Sequence, residues 1–303
     1  MRSLIIPPYL KKGDRIEIIT PASPIAEDIV HKATVRLEES GFRVTTGEHA
    51  FASFGPFAGT EAERLADIQK ATDDTDVKAV LCSRGGYGMS RIIDRIDFTA
   101  LQRNPKWYIG YSDITSLHLW LNTVCGIASL HAEMPLNYSN PDCLADSYDT
   151  LVKALTGNPE PVSWIMQSEA SFEVEGRVLG GNISLIYSLN GTPAQPDTDG
   201  AILFIEEIGE KFYHLDRMLV GMRMAGLLKN LSALVVGGME NITEGEHVFN
   251  QTVEEVVMNV VGGYSYPVLF NCPAGHINDN RALYLGRPAR LSQSGREVAL
   301  SWH

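Results

Sequence analysis

The first half of the chain alternates between short apolar runs and longer segments with helical spacing. Residues 15–20 (RIEIIT) alternate as a strand does, and the turn at residues 21–24 opens a helix. The apolar positions of that helix recur at helical spacing: Ile29, Val30, Ala33 and Leu37. Gly41 follows, and we predict that it ends the helix in a left-handed conformation.

Three more strands are predicted in this half, at residues 42–46, 77–82 and 107–110. Thr60 and Glu63 have capping-box spacing and predict a further helix between the first two of these strands. Strands that alternate with helices indicate parallel βαβ units in an open, doubly wound α/β sheet. Ligand sites in such sheets lie beyond the carboxyl ends of the strands.

The second half has a different pattern. A helix is predicted at residues 146–155, followed by a polar, turn-rich stretch, so we place a nucleophile-bearing N-terminal domain at residues 1–155 and a linker at residues 156–170. Residues 171–303 then form a smaller mixed α/β or barrel-like domain. Its predicted strands are residues 172–179, 201–205, 233–236, 268–271, 282–285 and 298–302, with helices at about 215–227 and 253–261.

The charge balance narrows the classes of partner. The formal net charge is −12 and no basic cluster offsets it, which argues against nucleic acid and anionic membrane as partners. No run approaches the roughly 18 apolar residues of a membrane span, and the apolar run at residues 4–8 is too short for a signal peptide. We therefore expect a cytoplasmic protein.

No metal or cofactor is predicted. The cysteines form no C-x-x-C pair, so we expect buried free thiols rather than a zinc site or a disulfide framework: Cys82, Cys125, Cys143 and Cys272. His131 and Glu133 form an H-x-E pair, but the P-C-x-x-C run of a zinc deaminase does not follow.

Ser112 lies in the run GYSD at residues 110–113, between a predicted strand and a predicted helix. A serine at such a turn is lifted above the sheet edge, and the Asp113 amide points outward at the helix start. This is the setting of a nucleophile elbow, although Ile114 replaces the last glycine of the G-x-S-x-G pattern. A simple helix cap is the alternative interpretation.

The run RGGYG at residues 84–88 is a glycine-rich loop after a strand. Glycine lets the backbone approach a ligand closely and adopt positive φ. The loop is neither G-x-G-x-x-G nor a Walker A sequence, so nucleotide binding has weak support. A phosphate cradle, a second oxyanion donor and a plain tight turn all stay open.

An acid and a base for Ser112 have candidates in the second half. Glu206 and Glu207 follow an apolar strand, where one of them can orient a histidine or both can form a solvated turn. His276 lies in a loop after a strand and suits a general base better than His118, which lies on a predicted helix.

Taken together, the motifs resemble the LD-carboxypeptidase family of serine peptidases, which includes muramoyltetrapeptide carboxypeptidases and microcin C self-immunity peptidases. The resemblance covers nearly the whole chain. The matching runs are LKKGD at 10–14, TPAS at 20–23, RGGYG at 84–88, GYSD at 110–113, GGN at 180–182, EEIGE at 206–210, DR at 216–217 and GH at 275–276. Each motif is weak alone, but their joint order and spacing are specific.

The resemblance implies a catalytic triad with Ser112 as nucleophile and His276 as general base and acid. Glu206 would orient the histidine, since it matches the family position. Glu207 stands where relatives often have Asp, which leaves a one-residue ambiguity. The oxyanion would be held by the amides of Asp113 and Gly86.

The resemblance further implies a flavodoxin-like N-terminal domain, a smaller C-terminal α/β domain, a site in the cleft between them and a homodimer. The expected substrate is a murein peptide, cleaved between the L-centre of meso-diaminopimelate and the terminal D-Ala. An exopeptidase must hold the terminal carboxylate, for which Arg84 and Arg217 are candidates, each with a structural ion pair as its alternative. Tyr87 is a third candidate substrate-binding residue.

Two rival functions stay open. One is cleavage of peptidyl-nucleotide antibiotics by the same fold, which needs an aromatic platform for the base, with Trp164 as the candidate. The other is a non-catalytic sugar- or nucleotide-binding α/β protein with the glycine loop around phosphate.

Overall fold

A computed structural model describes residues 4–140, 142–246 and 248–302. The elements of the first half are β1 (Arg15–Ile19), α1 (Glu27–Glu39), β2 (Arg43–Thr46), α2 (Glu61–Asp73), β3 (Val77–Cys82), β4 (Trp107–Gly110), α3 (Thr115–Trp120), β5 (Ser129–His131), α4 (Pro135–Tyr138) and α5 (Ala145–Leu155). Those of the second half are β6 (Val162–Asn182), α6 (Ile183–Ser188), β7 (Ile202–Ile208), α7 (Phe212–Met224), β8 (Ala233–Glu240), α8 (Val253–Val261), β9 (Val268–Leu269), β10 (Leu283–Leu285) and β11 (Pro288–Trp302).

The first sheet confirms the flavodoxin-like prediction. Its parallel strands have the order β2-β1-β3-β4-β5, which is the flavodoxin-like arrangement. Apolar side chains of α1 and α5 fill one face of the sheet, and those of α2 and α3 fill the other. The carboxyl ends of β3 and β4 therefore place the glycine loop and Ser112 on the same edge.

One strand of the first sheet comes from the far end of the chain. Residues 282–285 are predicted in the second domain, but β10 pairs antiparallel with β5 and closes the edge of the first sheet. The Tyr284 ring packs on Trp107 with centroids 5.2 Å apart, and its hydroxyl donates to the Ala154 carbonyl at 2.6 Å. The segment therefore contributes to both cores: Ala282 and Tyr284 pack in the core of the first sheet, and Leu283 and Leu285 pack in that of the second.

The second sheet is mixed and open, with the order β11-β6-β7-β8-β9. Strands β6 to β9 are parallel, and β11 runs antiparallel to β6 at one edge. Of the two predicted forms, the mixed sheet is therefore the one observed. Helices α6, α7 and α8 pack on one face, and the carboxyl end of β7 carries Glu206 and Glu207.

The predicted linker at residues 156–170 is irregular only as far as residue 161, because β6 already begins at Val162. Val162, Trp164 and Met166 are buried while their neighbours are exposed, which is the alternation of a half-buried strand. Trp164 pairs with Val298 of β11, so this stretch belongs to the second sheet.

Two predicted helix ends are confirmed. Gly41 has a φ of 96°, and the following Phe42 N–H donates to the Leu37 carbonyl at 3.2 Å, as in a Schellman motif. At the start of α2, the Glu63 N–H donates to the Thr60 hydroxyl at 3.3 Å and the Thr60 N–H donates to the Glu63 carboxylate at 2.7 Å. Thr60 lies after β2, at the carboxyl edge of the first sheet, whereas Gly41 lies before β2, at the opposite edge.

Membrane-spanning helices are not found in the part of the chain that the structure describes. The longest helices there, such as α1 and α7, have 13 residues. About 20 apolar residues are needed to cross the hydrocarbon core of a bilayer.

We predict that residues 1–155 do not fold as an independent unit. Without β10 the β5 edge is unpaired and Trp107 loses Tyr284, and each large apolar side chain removed from the core costs about 1.5–3 kcal/mol. Size-exclusion chromatography and thermal unfolding should show an aggregated or non-cooperative fragment beside a cooperative full chain. A monomeric fragment that melts close to the full chain would contradict this prediction.

Candidate active site

Ser112 lies two residues after the end of β4, in the turn that starts the helical segment leading into α3. Its φ is 65°, the left-handed region that a residue with a Cβ rarely adopts. A strained serine between a strand and a helix projects its hydroxyl away from the sheet, as a nucleophile elbow requires. The positive φ distinguishes this serine from an ordinary helix cap, which has extended backbone angles.

The structure brings His276 and Glu206 to this serine. The His276 Nε2 lies 3.0 Å from Ser112 Oγ, and the His276 Nδ1 lies 2.6 Å from Glu206 Oε2. A carboxylate only accepts, so Nδ1 carries the hydrogen and donates to Glu206. In the neutral imidazole Nε2 is then free of hydrogen and accepts the Ser112 hydroxyl, which is the tautomer that a general base needs.

The surroundings of His276 favour its protonated form. Burial by itself opposes the imidazolium charge, but the negative charge of Glu206 and its hydrogen bond outweigh burial, and Glu207 adds to the attraction. The pKa of His276 therefore lies above its ordinary value. Glu206 itself is fully buried, so its attraction is weakly screened by solvent.

The neighbouring Glu207 has a different set of partners. Its carboxylate accepts from the Asn182 side-chain amide, the Ser184 N–H and the Ile208 N–H, each at 2.9 Å. These bonds join the end of β6 and the start of α6 to β7. Burial raises the pKa of Glu207. Glu207 therefore links β6, α6 and β7, whereas Glu206 contacts His276.

The backbone at Asp113 and at Gly85 lies close to the Ser112 side chain. The first helical hydrogen bond after the turn runs from the Ile114 N–H to the Tyr111 carbonyl at 3.3 Å, so the Asp113 N–H precedes it. Gly85 packs against Ser112 and Asp113: a Cβ at Gly85 would lie 2.9 Å from Ser112 Oγ and 3.2 Å from the Asp113 nitrogen. The Gly86 amide comes next in the chain.

The glycine loop is held from two sides. The Ser23 hydroxyl accepts from the Tyr87 N–H at 3.2 Å, and the Ser23 N–H donates to the Gly85 carbonyl at 3.3 Å. The Asp113 carboxyl accepts from the Met89 N–H at 2.8 Å, and burial raises the pKa of Asp113 to about 6. The runs at residues 20–23, 84–88 and 110–113 thus form one structural unit.

The three predicted substrate-binding residues have varied surroundings. Arg84 is half-buried, and its Nη1 donates to the Pro24 carbonyl at 3.1 Å. Tyr87 is 50% exposed and packs on Phe57 with ring centroids 5.6 Å apart. Arg217 is exposed on α7 and lies over the Tyr213 ring. In the described part of the chain, none of the three hydrogen-bonds to the serine, histidine or glutamate of the site.

Two residues that sequence reasoning did not single out also contact the site. The Tyr111 ring packs edge-on against His276 with centroids 4.9 Å apart. The Asn280 Oδ1 accepts from the Gly275 N–H at 2.8 Å, immediately before His276. Tyr111 lies inside the GYSD run and Asn280 lies four residues after His276, so proximity along the chain was the available signal.

A cavity of about 300 Å³ opens next to the histidine loop, at the carboxyl ends of β8 and β9. Ile277 forms one wall, and Gly238, Glu240, Glu254 and Asn271 line others. Among residues 4–140, 142–246 and 248–302, no group of three or more His, Cys, Asp or Glu side chains is arranged to hold a metal ion. The four cysteines are free thiols, and Cys143 alone among them is half-buried.

Comparisons with known proteins agree with the resemblance carried by the motifs. Sequence profiles of the LD-carboxypeptidase N-terminal and C-terminal domains match residues 16–132 and 175–291. A probable murein peptide carboxypeptidase of Bacillus subtilis (strain 168) is 33% identical, over 97% of this chain and 93% of its own length.

Solved structures give the same picture. A muramoyltetrapeptide carboxypeptidase from Oxalobacter formigenes has a TM-score of 0.87 at 28% identity, covering 95% of this chain and 98% of its own. A microcin C7 self-immunity protein in complex with adenosine monophosphate has a TM-score of 0.88 at 20% identity, with 99% of each chain covered, and shows the shared fold. The chain therefore belongs to the LD-carboxypeptidase family of serine peptidases and is an enzyme of that class.

Proposed function

We propose that this enzyme releases the terminal D-Ala from murein tetrapeptide through a triad of Ser112, His276 and Glu206. The observation that carries the proposal is the continuous chain of hydrogen bonds from Glu206 through His276 to Ser112, at 2.6 and 3.0 Å. Its members come from both halves of the protein and meet at a strained serine. The substrate is inferred from the murein peptide and muramoyltetrapeptide carboxypeptidases that the chain resembles.

Acylation begins as the Ser112 Oγ attacks the carbonyl carbon of the diaminopimelate L-centre and its proton passes to His276 Nε2. Glu206 stabilises the resulting imidazolium from the opposite side of the ring. The amides of Asp113 and Gly86 hold the oxyanion of the tetrahedral intermediate. The imidazolium then protonates the D-Ala nitrogen, the C–N bond breaks, and an acyl-enzyme remains.

Deacylation repeats the sequence with water in the place of the amine. His276 removes a proton from a water molecule as the water oxygen attacks the ester carbon. The tetrahedral intermediate collapses, the bond to Ser112 Oγ breaks, and His276 returns the proton to the serine. The products are the tripeptide and free D-Ala, and the enzyme regains its starting state.

Arg84 is the better placed of the two arginines for the terminal carboxylate. Arg84 directly precedes Gly85, which packs against Ser112, whereas Arg217 is exposed and lies over the Tyr213 ring. The buried Arg84 Nε has no hydrogen-bond partner among the described residues, and a guanidinium binds carboxylates with paired donors. Tyr87 forms an exposed aromatic rim on the same loop.

The peptidyl-nucleotide alternative has less support. An aromatic platform for a base must be accessible, but Trp164 is only 8% exposed and its indole N–H donates to the Phe270 carbonyl at 2.9 Å. The similarity to the microcin C7 self-immunity protein, at 20% identity, supports the fold alone. A cytoplasmic role in peptidoglycan recycling and a homodimer stay predictions.

Replacing the nucleophile tests the proposal directly. Ser112→Ala should lower the rate of D-Ala release by about 10⁴-fold or more, because no acyl-enzyme can form. Mass spectrometry of murein tetrapeptide before and after incubation gives the measurement, and circular dichroism checks the fold. Ser188→Ala, at an exposed serine of α6, is the matched control and should retain full activity. Unchanged release by Ser112→Ala would refute the assignment.

The two glutamates can be separated by pH-dependent kinetics. In wild type the acidic limb of kcat/KM should have its midpoint above about 6.5, since His276 must be neutral to act as a base and its pKa is raised. Glu206→Gln should lower kcat by about 10²- to 10⁴-fold and move that limb to lower pH. Glu207→Gln should mainly lower the free energy of unfolding, by about 1–3 kcal/mol. The reverse pattern would make Glu207 the orienting residue.

The carboxylate site can be tested with a tetrapeptide whose terminal carboxylate is converted to an amide. Wild type should prefer the free acid, and Arg84→Ala should raise KM for the acid by about 10- to 100-fold and lose the preference. Arg217→Ala is the matched control and should keep both values within about 3-fold. Loss of the preference in Arg217→Ala alone would transfer the role to that residue.

A further inference from the structure

His131 is a buried titratable group that the mechanism above does not use. It ends β5 in the first sheet and is fully buried. Its ring packs against Tyr111 and Phe204, with centroids 5.6 and 5.1 Å apart. Its Nε2 lies 3.2 Å from the Oδ1 of Asn280, in the loop that carries the catalytic histidine.

The hydrogen positions of this pair follow from a backbone amide. The Gly275 N–H donates to the same Asn280 atom at 2.8 Å, so that atom must be the side-chain oxygen. His131 Nε2 also faces this oxygen and must therefore carry its hydrogen. Burial lowers the pKa of His131 to about 3, so the ring is a neutral donor.

Gly275 couples this pair to the triad. Its φ is 110°, and a Cβ at this position would lie 2.7 Å from the Glu206 Cβ and 3.0 Å from its Oε2. The backbone of Gly275 thus rests on the glutamate that orients the next residue, His276. Any shift of the Gly275 amide changes the distance between that glutamate and the imidazole.

Tyr111 connects the same pair to the nucleophile. It directly precedes Ser112, and its ring contacts both His131 and His276. Asn280 is fully buried and comes just before β10, the strand that the second half contributes to the first sheet. The loop of the catalytic base is therefore fixed to the sheet that carries the nucleophile.

We propose that His131 and Asn280 form a positioning pair, in which the His131 N–H fixes Asn280 and Asn280 clamps the Gly275 amide. The clamp holds the His276 imidazole in line between the catalytic glutamate and serine. This inference rests on the proposed triad. His131, the first residue of the H-x-E run, thereby gains a role in positioning a base. Neither His131 nor Asn280 contacts the reacting atoms.

Kinetics of paired variants test the clamp. Asn280→Leu keeps the approximate shape and removes the acceptor, and His131→Phe keeps a ring and removes the donor. Each should lower kcat by about 10- to 100-fold with KM within about 3-fold, because small displacements of a base are costly. His131→Gln, whose side-chain amide can donate from a similar place, should recover kcat to within about 5-fold of wild type.

Asn122→Leu is the matched control. Asn122 is also a buried asparagine, and its side-chain amide donates to the Ile127 carbonyl at 2.8 Å, at the opposite end of β5. It should lose stability as Asn280→Leu does, but keep kcat within about 3-fold. A fall in kcat of the same size in both variants would reduce the pair to a purely structural role.

A readout independent of activity separates this inference from the proposed substrate. The His276 imidazole, which faces Glu206, Glu207 and His131, can be titrated by NMR. Its pKa should fall toward the ordinary value in Asn280→Leu and in His131→Phe, and stay at the wild-type value in Asn122→Leu.

Each outcome has a distinct meaning. Unchanged kcat and an unchanged His276 titration in Asn280→Leu would overturn the clamp. If that variant does not fold, the same two measurements are made on His131→Phe and His131→Gln, and their comparison decides. A shifted titration in an enzyme that releases no D-Ala would support the pair and reject the substrate.

Discussion

The hydrogen bond between Glu206 and His276 is the interaction on which the rest of the site depends. Glu206 is fully buried, and a buried carboxylate without a partner costs several kcal/mol. His276 supplies that partner at 2.6 Å, and the bond in turn selects the imidazole tautomer that accepts from Ser112. One contact thus stabilises a buried charge and fixes the tautomer of the imidazole.

The next hydrogen bond, between His276 and Ser112, requires the two sheets to keep their relative position. Ser112 follows β4 of the first sheet, whereas Glu206 lies on β7 of the second. Strand β10 ties the last part of the chain to the first sheet, and the Asn182 N–H donates to the Thr115 hydroxyl at 3.0 Å across the same boundary. The site is therefore built from contacts that neither half makes alone.

Strain and close packing are concentrated around the serine. Ser112 adopts a left-handed conformation that costs of order 1–3 kcal/mol, and the surrounding loops hold it there. Gly85 has to be a glycine, because a Cβ would lie 2.7 Å from the Ser112 Cβ. The glycine loop is thus packed against Ser112.

The sequence by itself determined the elements with strong local signals and the chain order of the site residues. The capping box at Thr60 and the Gly41 helix end are local, so their pattern sufficed. Only the tertiary structure decided which glutamate meets His276, because adjacent strand residues point to opposite faces and a sequence does not say which face holds the partner. The placement of β10 in the first sheet and the clamp of Asn280 on Gly275 likewise depend on contacts between distant segments, which no local pattern encodes.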